Sequence, residues 1–169
     1  PSCMDLRYED PRISVVVGDA TSEKCRAEVA AISESFDIVI DDGSHRSDDI
    51  VRAFARYFPM LNDGGLYVVE DLQCSYWANY QGGLHHPHSS LSFFKRLTDI
   101  ISHEHWGLQT SRGSHLRDFT DRLGVELSEA DLSGVHAVEF LNSMCLVRKR
   151  AAAENLLGSR VVVGRHEDI

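Results

Sequence analysis

Three apolar segments of the sequence each end in acidic residues: Asp19 in the first case, Asp41 with Asp42 in the second, and Glu70 with Asp71 in the third. Carboxylates that a fold crowds together repel one another unless a partner compensates their charge. Hard cations such as Mg²⁺ select oxygen ligands, and a ligand with hydroxyl or amine groups can donate hydrogen bonds to carboxylates. The acids therefore predict a cation site, a polar ligand site, or both.

A histidine, His45, follows Asp42 by three residues on the same predicted loop. Because histidine titrates near neutral pH, it can act as a general base on a group that the acids hold. The structural alternative is that the acids only cap the helices that follow the strands, as we infer for Asp48 and Asp49 at a helix start. Two acids in succession at two different strand ends exceed what capping needs, so we favour a functional role.

The elements that must position these residues alternate between apolar strands and amphipathic helices. We predict strands at 13–17, 36–40 and 66–69, helices at 22–33, 48–58 and 89–103, a turn at 62–65, and an antiparallel hairpin at 137–149. Ser47 is expected to cap the second helix. The alternation predicts an α/β, Rossmann-like fold with a mostly parallel sheet and helices on both faces. Ligands of such sheets bind beyond the carboxyl ends of the strands, where the acids lie.

The length and the net charge of the chain limit the kinds of molecule that it can bind. The chain has 169 residues, which suits one domain, and its net charge of −9 argues against nucleic acid and anionic membranes as partners. We find no apolar run near the roughly 20 residues of a membrane span, and no signal peptide at the start. The four cysteines form no CxxC pair, which is typical of reduced thiols and favours a cytoplasmic location.

Two segments carry a resemblance to a known family: "FDIVIDDGSH" at 36–45 and "FPMLNDGGLYVVEDLQCSYW" at 58–77. Together they resemble the metal-dependent sugar O-methyltransferases of the class I S-adenosylmethionine fold, which act on macrolide sugars or methylmannose polysaccharides. In that family a strand ending in DDGSH precedes a helix, a GG turn and a strand ending in EDLxxSYW. The resemblance covers about residues 5–80, with a weaker match to the final hairpin.

The resemblance implies a role for each matching residue. The metal ligands that it implies are Asp42, Glu70 and Asp71, with Mg²⁺ as the usual ion. The residues that it implies for binding S-adenosylmethionine are Asp5, Asp19, Ala20 and Asp41. His45 matches the general base of the family. Tyr76 and Trp77 could stack on the acceptor sugar, although Trp77 could equally belong to the core or to a lid.

The implied reaction agrees with the chemistry of these residue types. A sugar hydroxyl is a poor nucleophile, and a bound metal ion lowers its pKa. A histidine can then remove the proton while the oxygen attacks the methyl group of the sulfonium. The expected partner is a small-molecule or saccharide acceptor, and the sequence leaves the formation of a homo-oligomer open.

One feature departs from the family pattern, because no strand is followed by a glycine-rich GxG loop. We interpret residues 1–169 as a single, partial methyltransferase domain that begins after the first strand and helix of the family fold. The alternative is a diverged protein that binds the cofactor poorly. Two other functions stay open: a degenerate Rossmann-like module that binds a ligand or partner without catalysis, and a metal-assisted hydrolase or hydroxylase.

Overall fold

The computed structural model describes residue 8 and residues 10–158, where five α-helices pack with a four-stranded sheet. The helices are α1 (Glu23–Ile32), α2 (Ser47–Tyr57), α3 (Ser90–Ile101), α4 (Arg117–Leu123) and α5 (Glu129–Ser133). The strands are β1 (Phe36–Asp41), β2 (Leu61–Val69), β3 (Val135–Leu141) and β4 (Met144–Lys149). None of the described helices combines the length and the apolar character that crossing a membrane requires.

The sheet has the strand order β1-β2-β4-β3. β1 pairs with β2 in parallel, whereas β2 with β4 and β4 with β3 are antiparallel. The predicted α/β class and the C-terminal hairpin at the sheet edge are confirmed. The described part of the sheet is mixed rather than mostly parallel, because only one of its three strand pairs is parallel.

The hydrophobic core lies against one face of the sheet. A row of side chains crosses all four strands at Val39, Tyr67, Val147 and Val138, and these residues pack in the same core cluster as helices α2, α3 and α4. Ile38 and Ile40 alternate with Val39 and therefore point to the opposite face, where they are 59% and 58% exposed. In the described residues the main hydrophobic core thus lies against the face that carries Val39 and Tyr67.

The strand predicted at 13–17 is wrong, since these residues form no strand in the structure. Ile13, Val15 and Val17 are 45%, 42% and 49% exposed, and no described strand lies beside them to complete a hydrogen-bonded ladder. Alternation with helices is a local signal, whereas a strand exists only when a neighbouring strand pairs with it.

Two smaller expectations are also corrected. Residues 62–65 do not form the expected turn, because they belong to β2, which begins at Leu61. They cause a register shift in the pairing with β1, between the Phe36–Leu61 pair and the Ile38–Leu66 pair. Gly64 allows this irregularity through its positive φ of 89°. Ser47 does not cap α2; it is the first residue of the helix, and Arg46 occupies the cap position.

Candidate active site

The acids of the second and third apolar segments lie at the same edge of the sheet. β1 and β2 are parallel neighbours, and Asp41 lies opposite Val69 in the ladder. The backbone N–H of Glu70 donates a hydrogen bond of 2.9 Å to the carbonyl oxygen of Asp41, which extends the pairing by one residue. Asp42, which follows β1, and Asp71, which follows β2 by two residues, therefore leave the sheet side by side, as the sequence predicted.

Three side chains converge at this edge: Asp42, His45 and Asp71. One ligand atom from each lies within 4.8 Å of the others. His45 Nε2 is 3.6 Å from Asp71 Oδ2 and 3.9 Å from Asp42 Oδ1. The carboxylates are 61% and 50% exposed and the imidazole only 22%. Among the described residues, His45 is the only salt-bridge partner of either carboxylate, so the pair keeps negative charge available for a cation.

The backbone at this site has a conformation that most residues avoid. His45 and Asp71 have positive φ angles of 56° and 49°, in the left-handed region that glycine favours and that aspartate and histidine tolerate better than most other residues. Such conformations cost of order 1–3 kcal/mol each and persist where surrounding contacts enforce them. The conformation of both loops is therefore maintained at a cost in backbone energy.

Contacts from the β3–β4 turn enforce the conformation around Asp71. The N–H of Leu72 donates to the carbonyl oxygen of Ser143 at 2.8 Å, and Gln73 Nε2 donates to Asp71 Oδ1 at 3.0 Å. Ser143 Oγ also contacts Gln73 Oε1, so the turn is joined to the side chain that orients Asp71. The sequence reasoning missed Gln73 and Ser143, because only the fold brings the C-terminal turn to this loop.

Asp41 has a different environment from Asp42, although the two are adjacent. Burial raises the pKa of Asp41 to about 6. Tyr67 lies near it and is fully buried, which raises the pKa of its phenol well above the usual value. Within the described part of the chain, Asp41 Oδ2 and Tyr67 Oη are both buried without a hydrogen-bond partner. Buried polar atoms without a partner of good hydrogen-bond geometry call for one, such as a water molecule or a ligand. Tyr67 could not be predicted as a site residue, because it lies within an apolar segment that is typical of a buried strand.

Two cavities adjoin this carboxylate. The larger, of about 490 Å³, has Asp41, Asp42 and Ala20 at the strand end and apolar walls that include Ile38 and Ile40. The smaller, of about 270 Å³, contacts Asp41, Ala20 and Asp19. The structure therefore brings together three of the four residues predicted to bind the cofactor, Asp19, Ala20 and Asp41.

Asp19, Glu70 and Asp5 are the other acids that the sequence predicted for the site. Asp19 is exposed, and it accepts hydrogen bonds of 2.9 Å and 2.8 Å from the N–H and hydroxyl of Thr21, which lower its pKa. Asp19 does not cap the helix that follows, because Ser22 occupies the cap position of α1; its cofactor role stays a prediction. Glu70 follows β2 directly but is not in the cluster of three side chains. Asp5 lies outside the described residues.

Aromatic side chains follow the Asp71 loop. Tyr76 and Trp77 are 45% and 52% exposed, and the Trp77 ring lies 5.9 Å from that of Tyr80. The exposure of Trp77 argues against the alternative that it is a core residue. Gly82 packs closely beneath this segment, because a Cβ atom there would lie 2.0 Å from the Ser75 carbonyl oxygen.

The fold and the acidic strand edge together define a class I methyltransferase-like α/β protein. No protein-family model matches the chain. Among solved structures, it resembles the MycE methyltransferase from the mycinamycin biosynthetic pathway in complex with Mg, SAH and mycinamycin VI. The TM-score is 0.69 at 28% identity, covering 86% of this chain and 34% of that one.

Sequence comparison with characterised proteins also finds sugar O-methyltransferases. The chain is 38% identical over 146 residues to the 8-demethyl-8-alpha-L-rhamnosyl tetracenomycin-C 2'-O-methyltransferase of Streptomyces olivaceus, covering 86% of this chain and 35% of that protein. It is 42% identical over 99 residues to the demethylmacrocin O-methyltransferase of Streptomyces fradiae, covering 57% and 25%. It is 39% identical over 106 residues to the mycinamicin VI 2''-O-methyltransferase of Micromonospora griseorubida, covering 60% and 26%.

The resemblance stated from the two motifs is thereby confirmed: the chain is a homologue of sugar O-methyltransferases with the class I fold. It spans about a third of the length of the first of these relatives and about a quarter of the other two.

Proposed function

We propose that the protein is a Mg²⁺-dependent O-methyltransferase that moves a methyl group from S-adenosylmethionine to a sugar hydroxyl of a glycosylated small molecule. The observation that carries the proposal is the convergence of Asp42, Asp71 and His45 within 4.8 Å at the carboxyl edge of the sheet. The names of the relatives support the acceptor class, because they describe O-methylation of rhamnosyl and macrolide compounds.

The donor set fits Mg²⁺. Asp42 and Asp71 offer carboxylate oxygens, which this ion prefers, and both are half exposed or more, so that water can complete the shell. Glu70 starts the same loop as Asp71, and we propose it as a further ligand. When bound, the ion would lower the pKa of an acceptor hydroxyl that reaches it.

His45 is proposed as the general base. Its Nε2 takes the hydroxyl proton while the oxygen forms a bond to the methyl carbon, and the carbon–sulfur bond breaks with its electron pair remaining on sulfur. Asp71 Oδ2, at 3.6 Å from Nε2, stabilises the imidazolium that forms. The low exposure of the ring and its constrained backbone keep it oriented toward the two carboxylates.

The cofactor is proposed to bind where the two cavities meet at the end of β1. S-Adenosylmethionine carries an ammonium group and ribose hydroxyls, which can donate to the orphaned oxygens of Asp41 and Tyr67. Asp19 and Ala20 line the same region and are proposed to contact the adenine. Asp5 remains a prediction for the ribose.

Tyr76 and Trp77 are proposed to form an aromatic surface for the acceptor sugar. Both are exposed and lie within six residues of Asp71 along the chain, so a sugar stacked on them would be close to the carboxylate loop. We also propose a cytoplasmic location, which the free thiols of Cys25, Cys74 and Cys145 support.

The test measures methyl transfer by the full-length protein from isotopically labelled S-adenosylmethionine to rhamnosylated acceptors, with Mg²⁺ or with EDTA. We expect activity only with the metal, and a loss of at least about 100-fold in Asp42→Asn and Asp71→Asn. Asp63→Asn, which changes an exposed carboxylate of β2 away from the cluster, should keep the wild-type rate. Transfer that persists in EDTA, or an active Asp71→Asn variant, would contradict the proposal.

A further inference from the structure

Three serine hydroxyls meet in the interior behind the candidate site. Ser47, Ser75 and Ser90 are 0%, 1% and 0% exposed, although serine is ordinarily a surface residue. Ser75 Oγ and Ser90 Oγ are 2.6 Å apart, and Ser47 Oγ lies 3.5 Å from Ser90 Oγ. Ser90 is therefore the central member of a buried hydroxyl cluster, with a short bond to Ser75 and a longer contact to Ser47.

The cluster connects the two loops that carry the site. Ser47 is the first residue of α2 and follows His45 by two residues. Ser75 lies in the 3₁₀ turn Leu72–Tyr76 that begins directly after Asp71. Ser90 starts α3, a separate helix. A single hydroxyl on α3 thus contacts the first residue of α2, which directly follows the His45 loop, and the turn that follows Asp71.

Helix capping does not account for these serines. Arg46 occupies the cap position of α2, and Ser89 caps α3 by accepting a hydrogen bond from the N–H of Ser92. Alanine has a higher helix propensity than serine and no buried polar atom, so it would suit the first turn of either helix at least as well. The contribution that distinguishes the hydroxyls is therefore the link that they make between segments.

We propose that Ser90 is a positioning residue that fixes the spacing between the His45 loop and the Asp71 loop, and hence the geometry of the cation site. This inference rests on the proposed metal role of Asp42 and Asp71. The contacts at the site span only 3.6 Å and 3.9 Å, and both loops have left-handed backbone that local propensity does not maintain. A displacement of one loop against the other changes the ligand spacing directly.

The test compares Mn²⁺ binding, measured by electron paramagnetic resonance, with thermal stability in the wild type, Ser90→Ala and Ser89→Ala. The matched control, Ser89→Ala, removes the cap of the same helix and lowers its stability without touching the cluster. We expect Ser90→Ala to weaken Mn²⁺ binding about tenfold, as loss of an outer-shell partner typically does, and Ser89→Ala to leave it within about twofold. Equal Mn²⁺ affinity in Ser90→Ala and the wild type, or an equal loss in both variants, would overturn the proposal.

A double variant separates positioning from general packing. Ser75→Ala together with Ser90→Ala removes both partners of the short bond, so it should recover part of the stability lost in Ser90→Ala, because no single hydroxyl is left unsatisfied there. The Mn²⁺ affinity should stay low, since the link is still absent. Recovery of affinity together with stability would contradict a positioning role.

Amide hydrogen exchange tests the positioning role of Ser90 independently of metal binding. If the wild type binds no Mn²⁺, the proposed metal role fails, and the positioning role is decided by the amides of Trp77 and Gly83, which donate to Cys74 and Ser75 carbonyl oxygens at 2.9 Å each. Ser90→Ala should accelerate exchange at both amides, whereas Ser89→Ala should not. Unchanged exchange in Ser90→Ala would overturn the positioning role.

Discussion

Replacing the buried carboxylate of Asp41 by an amide should stabilise the protein at neutral pH. Burial raises the Asp41 pKa to about 6, from an ordinary value of 3.8 for an aspartate that is exposed in the unfolded chain. Because the folded state binds this proton more tightly, folding is favoured at low pH and the advantage is lost as pH rises through the interval from about 4 to about 6. Above that interval the charged, buried carboxylate opposes folding.

The magnitude follows from the shift. At about 1.4 kcal/mol per pKa unit, a rise from 3.8 to about 6 corresponds to about 3 kcal/mol, of which about 2.5 kcal/mol develops between pH 4 and pH 7. Asp41→Asn keeps the size of the side chain and removes the titration. The difference in unfolding free energy between Asp41→Asn and the wild type should therefore grow by about that amount over this interval.

The assay is urea unfolding at pH 4, 5, 6 and 7 with a chelator present, so that metal binding does not contribute. Asp37→Asn is the matched control, because Asp37 is an exposed acid on the same strand. Parallel pH profiles for Asp41→Asn and the wild type would show that burial of the Asp41 carboxylate does not oppose folding at neutral pH. If the carboxylate serves the cofactor, the more stable variant should also bind S-adenosylmethionine more weakly.

Three further substitutions probe other parts of the site. His45→Ala should lower the single-turnover rate about 10²- to 10⁴-fold, with a defect that shrinks as pH rises; an unchanged rate with a lowered melting temperature would make the histidine structural. Gly82→Ala should lower the free energy of unfolding, measured in urea, by about 1–3 kcal/mol, because its Cβ atom would lie 2.0 Å from the Ser75 carbonyl oxygen. Gly113→Ala is the control and should lower it much less, because a Cβ atom there has no contact under 4.0 Å. Trp77→Ala should raise the acceptor KM without lowering the melting temperature, since the ring is 52% exposed; the opposite pattern would assign it to packing.

The sequence predicted those elements whose signals are local. The apolar run of β1, the amphipathic pattern of α2 and the hairpin of β3 and β4 are all present, because hydrophobic periodicity and turn residues determine them within a few residues. The convergence of Asp42 and Asp71 was also predictable, since parallel neighbouring strands bring their carboxyl ends together.

The errors arose where a distant contact decides the outcome. Residues 13–17 have strand composition but no described strand beside them, and the glycines within 62–65 permit an irregular strand instead of a turn. Ser47 has the residue type of a cap, yet it faces Ser90, 43 positions later in the chain. Gln73 and Ser143 meet across 70 positions, so no local pattern could have indicated their role beside Asp71.

Anomalous diffraction from crystals of the full-length protein soaked in Mn²⁺ would show whether Asp42 and Asp71 bind a common cation. We expect one peak at the edge of the sheet, within about 2.5 Å of carboxylate oxygens from both Asp42 and Asp71. The same peak should be absent from Asp71→Asn crystals treated identically. A peak that contacts neither carboxylate, or wild-type crystals with no peak at this edge, would contradict the proposed cation site.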